Sequence, residues 1–363
     1  MPLILIAGAS CYLGRAVRYN VSSVYDYKIF PGNELTASGQ PFHFEKDLAA
    51  GRVPATLSFG RFQNQKLDEF LAANDTLAFL VLKDDRLVDE RYFNGHSPTA
   101  LSMSFSLGKS IHSLLIGIAL AEGKIGSLDQ PVTDYLPELR DRGFDQLTIR
   151  HCLQMTSGIR YKEWDNPFGR HVRLYYGDDI EKEILGFTLK EPPGTRFEYR
   201  SGDTMLLALI LKRVLAPETI TQYLQRKLWT PLGMEGDGLL CTDYAGKLEK
   251  VYCCLSARAV DFLKFGRLML RQGEWDGTRI VPAEWVRQST RIDESFGSVW
   301  YYQIQWWLAS KERGDFMAVG HLGQYLYVNP GKNLAVLRLG RSRGDLAFEE
   351  WKELFTALAE QVR

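Results

Sequence analysis

The sequence lacks charge of either sign in excess: 44 Lys and Arg stand against 44 Asp and Glu, and no basic run breaks the balance locally. Such a chain offers no field for a polyanion, so no nucleic-acid partner is expected. Cysteine is scarce. Five residues (Cys11, Cys152, Cys241, Cys253 and Cys254) at irregular spacing are too few for a disulfide scaffold, and no C-x-x-C pair points to zinc. They are expected to serve mostly as small buried hydrophobes. Long apolar runs are also missing, since the longest internal one, Leu114 to Ala121, falls well short of the roughly 18 residues that span a bilayer. There is no H-E-x-x-H, no G-x-S-x-G and no histidine cluster among His43, His96, His112, His151, His171 and His321. Neither a metal nor any other cofactor is required by what remains. No internal repeat or low-complexity linker marks a domain boundary, and nothing signals an oligomeric state.

What is present is an ordinary folding composition, 45% apolar and 24% charged in 363 residues, which excludes disordered and fibrous chains. At roughly 150 residues per domain the length suits one large or two intimately joined domains. Residues 1–14 admit several readings. Their apolar length suits a signal or short anchor, the one route by which membrane attachment is expected, although a basic leading region is lacking. A lipoprotein signal at Cys11 is weak because Gly8 stands where Leu is preferred. Leu3 to Gly14 also looks like a strand entering a dinucleotide-binding glycine loop, but Cys11 replaces the middle glycine and the Ser-, Tyr- and Pro-rich Tyr19 to Leu35 does not continue as a helix. Localisation stays open between a bacterial-type cell envelope or periplasm and cytoplasm.

Residues 15–60 read as an irregular lead-in. Helical spacing through Leu67, Phe70 and Leu71 predicts a helix over 63–73, and Thr76 to Leu82 and Leu87 to Phe93 predict an antiparallel hairpin. Ser106 to Glu122 is the strongest helix, apolar nearly all round, as a central helix would be. Short helices and polar loops follow to about residue 240, with a marked helix over 203–215. A helix over 257–272, strands over 301–308, 316–319, 325–328 and 334–339, and a helix over 348–361 complete the chain. The simplest architecture is a sheet fed from both chain ends (61–126 and 241–363), with a mainly helical insertion at 127–240 and the lead-in at 1–60.

Three short segments carry chemistry. Ser106-Leu107-Gly108-Lys109 is a Ser-x-x-Lys at a helix start, which sets both side chains on one face a turn apart. A lysine in an apolar helix is costly to charge, so its neutral amine is able to take the serine proton, and the helix start offers N–H groups to an oxyanion. The alternative is a capping serine beside a solvated lysine. A phosphate loop ending at Gly108-Lys109-Ser110 fails because Met103 stands where its first glycine belongs. Tyr199-Arg200-Ser201 precedes a helix and offers a proton shuttle or an ordinary packed tyrosine. Gly320-His321-Leu322-Gly323-Gln324 joins two strands and permits close backbone approach.

In this order the three segments resemble the serine beta-lactamase and penicillin-binding-protein superfamily over roughly residues 60–363. Leu147 to Gly158, Leu255 to Asp261, Gly273 to Gly277 and Ile280-Val281-Pro282 are similar to its supporting stretches. The Tyr-x-Ser form resembles the class C-like branch, with its esterases, D-amino-acid peptidases and 6-aminohexanoate-dimer hydrolases. The resemblance implies an α+β fold, an α/β/α sandwich whose antiparallel sheet is flanked by helices. It implies a serine hydrolase with Ser106 as the acylated nucleophile, Lys109 as base, Tyr199 as acid/base, and the backbone N–H groups of Ser106 and His321 as oxyanion donors. The third motif aligns with Ala318-Val319-Gly320 or His321-Leu322-Gly323 and carries no lysine, which speaks against a beta-lactam and for a small ester, amide or peptide-like substrate. The alternatives are a beta-lactamase or D-amino-acid peptidase, and a non-catalytic binding relative of the same fold. Tyr161, Trp164 and Tyr175 are candidates for an aromatic substrate wall, with Gly320 beside the substrate.

Overall fold

A computed structural model describes residues 11–49, 51–163 and 166–362. Its centre is an eight-stranded sheet. In chain order the strands are β1 (Glu45–Lys46), β2 (Thr76–Lys83), β3 (Arg86–Tyr92), β4 (Tyr302–Gln303), β5 (Trp306–Leu308), β6 (Phe316–Gly320), β7 (Gln324–Asn329) and β8 (Leu334–Gly340). They lie in the order β4-β5-β6-β7-β8-β2-β3-β1. All neighbours are antiparallel except β1 and β3. The pairing of β8 with β2 joins residues more than 250 apart in sequence, Val336 opposite Val81, so the sheet closes only when both ends of the chain are in place.

Both sheet faces are covered, and the two-residue period shows which side chains go where. Ala78, Leu80 and Leu82 of β2 and Leu326 and Val328 of β7 enter the larger core with the helices α1 (Leu107–Ala121) and α3 (Ala259–Leu270). Phe79, Val81, Tyr325, Tyr327 and Val336 face the other way, onto Trp351, Leu354, Phe355 and Leu358 of α4 (Phe348–Gln361). The helix α2 (Ser201–Leu215) is buried along almost its whole length among the short helices of the region before residue 240. None of the described helices is long and apolar enough to cross a membrane.

Four segments differ from the sequence expectations. The helix expected over 63–73 begins only at Leu67, because Phe62–Lys66 pairs as a strand with Thr56–Phe59. Residues 301–308 are a hairpin, not one strand: Ile304 and Gln305 take left-handed backbone angles (φ 44° and 69°), and Tyr302 folds back opposite Trp307. The lead-in is less irregular than expected. Tyr12–Tyr19 is a helix held by Arg15, which donates to the Tyr176 carbonyl at 2.9 Å, and Gly32–Leu35 pairs with Gly238–Cys241 in a second, four-stranded sheet. Residues 1–10, where the signal, anchor and glycine-loop readings fall, lie outside the described residues. Finally, Cys253 and Cys254 form a disulfide between adjacent residues, a pairing that no spacing pattern announces; Cys152 and Cys241 are buried and Cys11 is exposed.

Candidate active site

Helix α1 begins immediately after Ser106, and the residue before the serine, Phe105, is held at φ 45°. A bulky residue is rarely found in that left-handed region, and such strain gathers at functional sites. One turn on, the Lys109 amine donates to the Ser106 hydroxyl at 2.8 Å and to the Tyr252 carbonyl at 3.2 Å. Lys109 is 1% exposed. Burial drives its pKa down to about 8, against an opposing pull from the Glu163 charge. The amine also lies over the rings of Tyr199, at 4.9 Å, and Tyr252, at 5.3 Å.

Tyr199 reaches the same point from the start of α2. Its ring packs against Tyr302 at 5.8 Å and Trp307 at 5.6 Å. The next residue, Arg200, is fully buried, and its guanidinium holds Glu198 at 2.7 Å and Glu191 at 3.3 Å. Burial, and then the Glu163 charge, keep the Tyr199 phenol protonated well beyond its ordinary range, while the Ser106 hydroxyl pulls the other way. Tyr199 is therefore a neutral phenol at neutral pH.

The third segment closes the site by approach of backbone to backbone. A Cβ built on Gly320, the last residue of β6, would lie 2.3 Å from the Ser104 carbonyl oxygen and 3.2 Å from the Leu107 nitrogen, so only glycine lets the strand end meet the serine turn. The turn that follows, His321–Gly323, is set by Leu322 at φ 59° and by Gln324, whose side-chain amide donates to the His321 carbonyl at 3.2 Å and the Gly340 carbonyl at 2.7 Å. On the serine side, the Ser106 amide donates to no acceptor among the described residues. Burial, helped by the Arg343 charge, lowers the His321 imidazole to about 4, leaving it neutral. The buried amide of Gln305 braces the back of the site: it donates to the Cys152 and Leu153 carbonyls at 3.1 and 3.0 Å and accepts from Thr204 of α2 at 2.8 Å.

These groups open into a cavity of about 750 Å³. Ser106, Tyr199, Gly320, His321 and Tyr175 all line it, as do Asn20 and Ser22 of the lead-in. Tyr161 is placed behind the wall: it is 4% exposed, packs on Phe187, and its hydroxyl meets His171 Nδ1 at 2.9 Å. Trp164 lies outside the described residues.

Sequence reasoning passed over several residues of this cleft. Glu163 pairs with His171 at 2.8 Å and accepts from the Ser201 amide. Burial would raise its pKa, but His171, the Lys109 charge and Ser201 together hold it below the usual carboxylate value. The one available signal was its position inside the aromatic loop. Tyr252, 2% exposed, brings to the cleft a hydroxyl with no hydrogen-bond partner among the described residues, and Cys253 lines the cavity beside it. Chemically, the site holds a hydroxyl in contact with a partly neutral amine, a protonated phenol, and a backbone turn close beside the serine.

A model of the family described as Beta-lactamase matches residues 64–359. The chain belongs to the beta-lactamase family. It is a serine hydrolase. Within the beta-lactamase family, it is similar to the 6-aminohexanoate-dimer hydrolase of Paenarthrobacter ureafaciens, with 30% identity over 295 residues, 75% of this chain and 74% of that one. In fold it is similar to a putative 6-aminohexanoate-dimer hydrolase from Bacillus anthracis, with a TM-score of 0.84 at 24% identity over 93% of each chain. A family VIII carboxylesterase matches with a TM-score of 0.60 at 16% identity, over 78% of this chain and 92% of that one.

Proposed function

We propose that this chain cleaves an ester or amide of carboxylesterase or oligoamide-hydrolase type through an acyl-enzyme on Ser106. The observation that carries the reading is the 2.8 Å contact from the Lys109 amine to the Ser106 hydroxyl in a buried setting that lowers the lysine's pKa to about 8. Neutral Lys109 takes the hydroxyl proton as Ser106 Oγ attacks the substrate carbonyl carbon. The oxyanion is received by the backbone N–H groups of Ser106 and His321. Tyr199 gives its proton to the leaving oxygen or nitrogen, and the lysine ammonium reprotonates it. Water then enters from the leaving-group side, the same groups act in reverse, and the acid product departs with Ser106 restored.

Replacing Ser106 by Ala tests the assignment. Turnover of p-nitrophenyl acetate and of a 6-aminohexanoate oligomer is expected to fall at least about 10³-fold while the unfolding transition stays in place. An alanine variant that keeps turnover would remove Ser106 from the reaction.

A further inference from the structure

The segment that meets Lys109 and the serine turn from across the cleft carries a chemistry that the steps above leave unused. Cys253 and Cys254 are joined by a disulfide between neighbouring residues. Cys253 lines the cavity together with Ser106, Tyr199 and Tyr252, whereas Cys254 is fully buried.

Hydrogen bonds tie this pair to both catalytic candidates. The Tyr252 carbonyl, one residue before the disulfide, accepts from the Lys109 amine at 3.2 Å. The Cys253 carbonyl accepts from the Ser104 hydroxyl at 3.0 Å, and Ser104 stands two residues before the nucleophile. Just beyond the pair, the Leu255 carbonyl accepts from the Ser104 amide at 2.7 Å. The Lys250 carbonyl receives the amides of Cys253 and Cys254 at 3.2 and 3.0 Å, which folds the segment into a tight turn. A Cβ built on Gly108 would lie 3.0 Å from the Val251 carbonyl oxygen, so the turn and the first turn of α1 touch through their backbones.

A disulfide between neighbours closes a ring through the peptide that joins them. The backbone has only two soft dihedrals per residue, and the ring restricts those that aim the Cys253 carbonyl. Reduction is a thiol–disulfide exchange with a small dithiol. One thiolate of the reagent attacks Cys253 Sγ, the bond to Cys254 breaks, and the second thiol then displaces Cys253. Two electrons and two protons pass to the protein as two thiols, and the reagent leaves as a cyclic disulfide. Cys253 is the half that faces the cavity, so the reagent enters there. The Cys253 sulfur lies 3.8 Å from the Lys250 carbonyl, an acceptor for the thiol that reduction creates.

We propose that Cys253–Cys254 is a redox switch of the active site. Oxidised, it holds Lys109 and the serine turn in register; reduced, it lets the Tyr252 and Cys253 carbonyls turn, and the reaction slows. The proposal rests on the reading of Ser106 and Lys109 as nucleophile and base. Its test uses Cys11→Ser, which removes the exposed thiol and is expected to turn over like the unmodified protein. The protein is treated with oxidised glutathione or with dithiothreitol and desalted. Trapping with N-ethylmaleimide in denaturant, followed by peptide mapping, reads the state of Cys253 and Cys254. On reduction, kcat for p-nitrophenyl acetate is expected to fall about 10-fold or more, because small displacements of reacting groups carry costs of that size. KM is expected to change less, the unfolding transition to stay above the assay temperature, and reoxidation to restore the rate. Cys253→Ala/Cys254→Ala is expected to show the low rate under both treatments. Free thiols at both positions after oxidation, equal kcat in the two states, a double variant that still responds to dithiothreitol, or a loss that follows global unfolding would each overturn the switch alone. No turnover of p-nitrophenyl acetate or of a 6-aminohexanoate oligomer by the oxidised protein would overturn the hydrolase reading and the switch with it.

Discussion

Lys109 has to be neutral to accept a proton, and burial against Tyr199 and Tyr252 supplies much of that requirement. The Glu163 carboxylate acts in the opposite sense, because a nearby anion favours the ammonium. A base with a pKa of about 8 gives a rate that rises with pH and levels off above that value. In Glu163→Gln the opposing charge is gone, so the rising limb of kcat/KM is expected to move to lower pH. A limb that stays in place, or moves to higher pH, would show that Glu163 does not set the lysine's charge. The residues at this scale were unequally legible. Ser106 and Lys109 stand one helical turn apart, and chemistry of this kind demands those residue types at that spacing, so sequence alone nominates them. Glu163 and His171 share one segment, and Tyr252 comes from a distant segment that reaches them only after folding. None of them has a partner at a fixed sequence offset.

At the scale of elements, the close passage of β6 over the serine turn shapes the proposed oxyanion pocket. A methyl group on Gly320 would meet the Ser104 carbonyl at 2.3 Å, so Gly320→Ala forces the strand end and the turn apart. Overpacking of this sort costs about 1–3 kcal/mol. The loss of kcat is expected to exceed what that destabilisation explains, as judged by comparing urea unfolding with turnover well below the transition. Unchanged turnover would mean that the turn is not part of the chemistry. Long elements were readable from periodicity, and α4 was expected over the residues it occupies, Phe348–Gln361. The hairpin of β4 and β5 was not. Its turn is made by Ile304 and Gln305, residue types that do not announce a left-handed conformation, and it is held by Gln305 bonds to Cys152, Leu153 and Thr204. The short strand Phe62–Lys66 was hidden in the same way, since its partner Thr56–Phe59 decides its conformation.

For the molecule as a whole, a sheet buried on both faces places α1 with the catalytic candidates on one side and α4 on the other. The sheet is completed by β8 pairing with β2, so the C-terminal helix stabilises a platform whose opposite face carries Ser106. Leu354→Ala in that helix is expected to cost about 2–5 kcal/mol in chemical unfolding. A loss under about 1 kcal/mol would indicate that α4 is not an integral layer. The sandwich was legible because both ends of the chain read as strands and the middle as helices. The lead-in was not legible, because its helix and strand are stabilised by distant partners, Tyr176 and Gly238–Cys241, and not by their own periodicity.

The most direct measurement is intact-mass spectrometry of the protein quenched in acid during turnover of p-nitrophenyl acetate, with Ser106→Ala treated in parallel. The account predicts a transient gain of one acetyl group, mapped by peptide analysis to Ser106 and absent from the alanine variant. Turnover with no adduct on Ser106, or an adduct of equal yield in Ser106→Ala, would contradict it.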